Sequence, residues 1–132
     1  MEISPSRTAT VGDAQVRRAL PQRTRRTIGA WCFVDHFGPS APGADDGIGV
    51  GPHPHCGLST VTWLLDGMAV HTDSLGSEQS IRPGQLNLMT AGQGVSHAEQ
   101  STGYFQGEVA GIQLWVAQPE ETRNGPAAFE HH

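Results

Sequence analysis

G-P-H-P-H-C-G-L-S-T-V-T-W-L-L-D-G-M-A-V-H-T, residues 51–72, is the stretch from which the fold reads. Residues 58–65 are rich in β-branched and aromatic side chains, and Val61, Trp63 and Leu65 fall on one face at a period of two. Asp66-Gly67 follows, a two-residue hairpin turn signal. A strand resumes over 68–72, with Met68, Val70 and Thr72 on one side. Outward from this stretch the same pattern recurs. Residues 85–90 alternate with Leu86 and Leu88 facing one way, and residues 112–117 set Ile112, Leu114 and Val116 against Gln113 and Trp115. Leu75-Gly76 and Pro83-Gly84 punctuate, residues 39–51 read as a Gly/Pro/Asp loop, and the polar tail after Pro119 has room for one helical turn. No helical period is sustained over ten residues. Short strands separated by Gly and Pro predict an all-β sandwich or barrel. Leu58, Val61, Trp63, Leu86, Leu88, Met89 and Leu114 are the candidates for its interior or a pocket wall.

The length of 132 residues predicts one domain, long enough to bury a core without disulfide staples. There is no lysine, which excludes Schiff-base and PLP chemistry and a P-loop. The formal charge is −5, unfavourable for nucleic acid. That charge is unevenly spread. Residues 1–26 carry six arginines against Glu2 and Asp13, and the remainder carries Arg82 and Arg123 against eleven acids. The arginines could form a basic arm or pair with acids of this domain or a second subunit; the lack of interleaved aromatics favours pairing. Cys32 and Cys56 cannot make a disulfide framework and point to a reducing, cytoplasmic setting. The first residues lack the apolar core of a secretory signal, and no apolar run is long enough to span a membrane.

Seven histidines are the oddity of the composition. His53 and His55 are two apart, so in an extended segment both imidazoles point to one side, and Pro54 stiffens the pair. His97 and Glu99 repeat that spacing. Two imidazoles from one strand, with an imidazole and a carboxylate from another, make an N3O set suited to a first-row transition metal. Fe(II) is first, with Mn, Ni, Cu and Zn behind it. Cys56 is turned away by the same period, toward core or lid packing. His36 reads as structural, and a supporting role behind the ligands is open for His71. Asp35, Asp66 and Asp73 read as turn or salt-bridge residues, and His131 and His132 as a domain end or a tag remnant.

The order Gly47, His53-x-His55, Thr60 and Gly67 resembles the first cupin motif, with Thr60 where many cupins place a glutamate ligand. A glutamate on a later strand, Glu99, is the replacement made in pirins. The chain resembles that family along nearly its whole length: R-R-A-L-P at 17–21, R-R-T-I-G at 25–29, F-V-D-H-F-G-P at 33–39, H-P-H-C-G-L at 53–58, T-V-T-W-L at 60–64, H-T-D-S-L-G-S at 71–77, I-R-P-G at 81–84, M-T-A-G-Q-G-V-S-H-A-E at 89–99 and L-W-V-A at 114–117.

The resemblance implies a cupin-type β-barrel, a double-stranded β-helix of the jelly-roll kind. It implies a metal, usually iron, on His53, His55, His97 and Glu99. It implies either a quercetin 2,3-dioxygenase-type enzyme or an iron-dependent, redox-sensing protein-binding co-regulator. In the first case a small aromatic flavonol meets O2 at the metal, and Glu99 accepts the substrate proton. A scaffold with a vestigial site is the third reading, and the intact ligand set argues against it. Pirins are about twice this length and carry a second cupin domain. Apolar surface left without that domain predicts a homodimer.

Overall fold

The computed structural model describes residues 4–11, 14–40, 49–101 and 108–132. Gly47 and most of the 39–51 loop lie outside the described residues. Eleven strands are present: β1 (Arg7–Val11), β2 (Ala14–Leu20), β3 (Trp31–Ser40), β4 (Val50–His55), β5 (Leu58–Asp66), β6 (Ala69–Asp73), β7 (Glu78–Ile81), β8 (Leu86–Thr90), β9 (Val95–Ser101), β10 (Val109–Ala117) and β11 (Ala128–His131). Seven of them form one sheet in the order β1-β2-β3-β10-β5-β8-β11, and four form another in the order β4-β9-β6-β7. Every pairing between these strands is antiparallel. No helix occurs among the described residues. The all-β expectation is met.

Two local expectations are corrected. Asp66-Gly67 does not close a hairpin. β5 pairs with β10 and β8, whereas β6 pairs with β7 and β9, so the turn carries the chain from one sheet to the other. Gly67 is essential to that crossing. Its φ is +87°, and a Cβ there would sit 2.5 Å from the Glu108 carbonyl oxygen. Second, the inward face of β5 is Thr60, Thr62 and Leu64, which are buried, while Trp63 and Leu65 are 48% and 51% exposed. The tail after Pro119 makes the one turn expected, with the Arg123 amide bonded to the Pro119 carbonyl, and then adds β11 along β8, which the sequence reading does not mark.

The face was misread because both faces of the larger sheet carry apolar side chains. On the outer face Trp63 stands between Ile112 and Leu86, and Val61 between Leu114 and Leu88. Val34 continues the second row on β3. Period two identifies that two faces exist; it does not say which one is inside. The interior is apolar at its ends and polar between. Leu64, Ala69, Ile81 and Val109 form one buried cluster, and Met89, Ala91 and Val95 another. Thr62, His71, His97 and Glu99 are buried and belong to neither. Leu64→Ala is expected to cost about 2–5 kcal/mol, as cavity-forming core truncations do. Leu65→Ala, one residue on and facing out, should cost about 0.5 kcal/mol. Urea denaturation of the two variants checks the assignment of faces.

Candidate metal centre

β9 runs between β4 and β6, and the ladder register sets side chains directly opposite one another. His97 lies opposite His53 on one side and Asp73 on the other, and Glu99 lies opposite His71. Period two then points His53 and His55, His97 and Glu99, and His71 and Asp73 to the same inner face. The imidazole centroids of His53, His55 and His97 are 4.8, 4.5 and 5.0 Å apart pairwise. His53 Nδ1 donates to the Gly51 carbonyl at 2.9 Å, so its Nε2 carries a bare lone pair. That Nε2 faces His97 Nε2 at 3.1 Å. His55 Nε2 is buried without a hydrogen-bond partner. A buried ring nitrogen without a partner, beside two imidazole nitrogens that face each other, fits a cation among the three rings.

The ligand atoms fall into two overlapping groups, His53, His55 and His97 in one and His71, His97 and Glu99 in the other, each within 4.8 Å. His97 is common to both. The four residues singled out by spacing are thus brought to one place, and His71 joins them. The sequence leaves the role of His71 open, although H-T-D at 71–73 has the same two-residue spacing as H-P-H and H-A-E. That third pair was the available signal. Glu99 accepts a hydrogen bond from the Thr62 hydroxyl, and Thr62 also meets Gln113 Oε1 at 2.9 Å.

Aromatic contacts from the larger sheet pack against the candidate ligand His55. The His55 ring packs edge-on against Trp115 at 4.9 Å, and Trp115 stacks on Phe33 at 4.0 Å. Arg18 lies 4.4 Å over the Phe33 ring and makes two bonds to buried Asp35, at 2.8 and 2.6 Å. This arginine therefore pairs within its own domain, as the lack of interleaved aromatics in the basic segment led one to expect. A cavity of about 330 Å³ opens above the three imidazoles, walled by Phe33, Phe37, Trp115, Val16 and Gln113. That volume is at the small end for a ligand pocket. Gln113 and Trp115 face this cavity, so the inner face of β10 is the one opposite Ile112, Leu114 and Val116.

The remaining candidates lie elsewhere. Cys56 is exposed rather than packed in a core. His36 contacts Arg17, and His131 hydrogen-bonds Asn87 at 2.7 Å. Asp66 accepts from the Gly67 amide, and Asp73 accepts from the Leu75 and Ser77 amides, turn roles in both cases.

The fold and the ligand-bearing face define a cupin-type barrel. A sequence profile of the pirin family, described as Pirin, matches residues 13–116. A Pseudomonas aeruginosa protein named "Putative quercetin 2,3-dioxygenase" is 52% identical over 121 residues, covering 92% of this chain and 38% of its own. A Caulobacter vibrioides pirin-like protein is 42% identical, with 98% and 46% covered. The crystal structure of a quercetin 2,3-dioxygenase from Acinetobacter baumannii superposes with a TM-score of 0.87 at 48% identity, over 98% of this chain and 43% of that one. The chain belongs to the pirin family. It spans less than half the length of these relatives.

Burial lowers the His55 pKa to about 4, with His53 nearby adding to the effect. Burial lowers His97 to about 3, helped by His53, His55 and His71. Both rings are therefore neutral at pH 7, the form a metal needs. Burial raises the Glu99 pKa, against the opposing hydrogen bond from Thr62. Between the ordinary histidine range near 6.5 and these depressed values, the unfolded chain binds protons that the folded chain refuses. The metal-free protein should accordingly lose stability as pH falls from about 6.5 toward 4, with Glu99 contributing the opposite sign. Thermal melts in chelator across that range check the slope.

Proposed function

We propose that this chain, as one domain over residues 1–132, is the metal-bearing barrel of a pirin that takes Fe(II) and works as a quercetin 2,3-dioxygenase-type oxygenase. Its substrate class is a flavonol or a related enolic or phenolic aromatic, with O2 as co-substrate. The observation that carries the reading is the convergence of His53, His55 and His97 beneath an aromatic-walled cavity, with His55 Nε2 buried and partnerless. His53, His55, His97 and Glu99 would hold the metal. When bound, the metal supplies open coordination positions and lowers the pKa of a hydroxyl that reaches it.

The rest of the chemistry belongs to this chain. Phe33, Phe37 and Trp115 offer flat apolar walls to an aromatic substrate and exclude water. Gln113, beside Thr62 in the cavity wall, presents an amide to a substrate oxygen. Glu99 accepts the substrate hydroxyl proton. Its burial favours the protonated form, and the Thr62 hydroxyl steadies the charged one. Among the described residues no helix is long and apolar enough to cross a membrane. We place the protein in the cytoplasm, where Cys32 and Cys56 stay reduced.

The test is to load the protein with Fe(II) anaerobically, confirm occupancy by elemental analysis, add quercetin and O2, and follow flavonol absorbance. Metal-dependent loss of absorbance is expected, and His55→Ala should abolish both metal uptake and turnover. Occupied protein without turnover would overturn the enzymatic reading. A change in partner affinity between Fe(II) and Fe(III) forms would then favour the co-regulator.

The outer face of the larger sheet supports a homodimer. Val61, Trp63, Leu86, Leu88, Ile112 and Leu114 form contiguous apolar rows there, with Trp63 48% exposed. Sedimentation of this chain at micromolar concentration should show a dimer, and Trp63→Glu should give a monomer that still takes up metal. A monomeric wild-type chain would sink the dimer.

A further inference from the structure

Behind His97, on the side away from the cavity, lies a buried chain of three polar groups. His97 Nδ1 stands 3.4 Å from His71 Nδ1. His71 Nε2 stands 2.9 Å from Asp73 Oδ2. Asp73 Oδ1 accepts the backbone amides of Leu75 at 2.9 Å and Ser77 at 3.0 Å. The side chains of His71 and Asp73 are 2% and 0% exposed, so water does not substitute for these contacts. The His71 ring stacks on Phe129, with centroids 4.2 Å apart and planes at 15°, which fixes its rotation.

We propose that Asp73 and His71 are positioning residues that hold His97 in the one tautomer able to bind a metal through Nε2. The inference deepens the metal-binding reading and rests on it. With Asp73 charged and the His71 ring neutral, the proton count leaves one arrangement. A carboxylate only accepts, so the His71 proton sits on Nε2. His71 Nδ1 is then a lone pair, and the hydrogen between the two Nδ1 atoms belongs to His97. With its proton on Nδ1, His97 turns a bare Nε2 toward His53. Burial alone would raise the Asp73 pKa, but its hydrogen bonds from His71, Ser77 and Leu75 outweigh that and lower it, which keeps the carboxylate charged. Metal-binding histidines are commonly oriented by a carboxylate or carbonyl on the far nitrogen. Here a second histidine is interposed, and the carboxylate comes from β6, the strand paired with that of His97.

Asp73→Asn tests the proton count. The two backbone amides keep the asparagine oxygen where Oδ1 was, so its NH2 faces His71. His71 must then accept at Nε2 and carry its proton on Nδ1, against His97. His97 loses its acceptor, and its proton moves to Nε2, where it blocks ligation. Fe(II) affinity, measured anaerobically by competition with a chromophoric chelator, is expected to fall about 10–100-fold. The readout independent of metal is long-range 1H–15N NMR of the imidazoles in the metal-free protein. His71 should be the Nε2–H form and His97 the Nδ1–H form in wild type, and the two should exchange in Asp73→Asn. Wild-type His97 carrying its proton on Nε2 would overturn the proposal, as would a folded Asp73→Asn protein with unchanged Fe(II) affinity. Should that variant fail to fold, His71→Phe, which keeps the stacking on Phe129, must show the same loss of affinity. A wild-type protein that takes up no metal would sink the functional reading. The wild-type tautomers would still decide the relay.

Discussion

The register of β9 between β4 and β6 is the constraint on which the candidate site depends. It sets His97 opposite both His53 and Asp73, and Glu99 opposite His71. Because side chains alternate at a period of two, a slip of one residue would send His97 and Glu99 to the outer face and bring Ser96 and Ala98 inside. Within the small sheet, backbone hydrogen bonding therefore gathers six polar side chains from three strands. The larger sheet contributes little coordination chemistry. It contributes walls: Trp115 against His55, Phe33 on Trp115, and Arg18 over Phe33, tied down by Asp35.

Such a site asks the barrel to bury ionisable groups, which is costly unless each is paired. The interior answers in two ways. Apolar clusters around Leu64 and around Met89 close the two ends, and groups between them are hydrogen-bonded to one another, as Thr62 is to Glu99 and His71 is to Asp73. Among the described residues the exceptions are His55 Nε2 and Asn87 Nδ2, buried with nothing to bond. Burial also lowers the proton affinity of His55 and His97, so the low-polarity setting that costs stability keeps these rings in the form that coordinates.

Much of this was legible in the chain. The all-β character followed from 51–72, where β-branched residues alternate and glycines interrupt, and the paired spacings of His53/His55 and His97/Glu99 identified side chains that share a face. Inside and outside were not legible. Val61, Trp63 and Leu65 look like a core face by hydropathy, yet the barrel turns Thr60, Thr62 and Leu64 inward, because a polar site lines part of the interior and another apolar layer lies on the outer face. Asp66-Gly67 has the residues of a hairpin turn but serves a crossing between sheets. Turn chemistry fixes the local bend and not the partner of the strand that follows. β11 was hidden in a polar tail, since an edge strand of four residues needs little apolar content.

The sequence by itself determined which residues come in like-facing pairs, because the two-residue alternation of a strand is a local property of the backbone. It marked H-P-H, H-A-E and, unread, H-T-D. Only the tertiary structure decided that these three pairs meet. Which strands neighbour one another, and in which register, depends on hydrogen bonds between segments far apart in the chain, as between His53 and His97, 44 residues apart. The role of His71 and Asp73 arises there. Nothing within 71–73 says that His97 will stand across from them, and only that juxtaposition turns a turn-capping aspartate and a buried histidine into a support for the candidate centre.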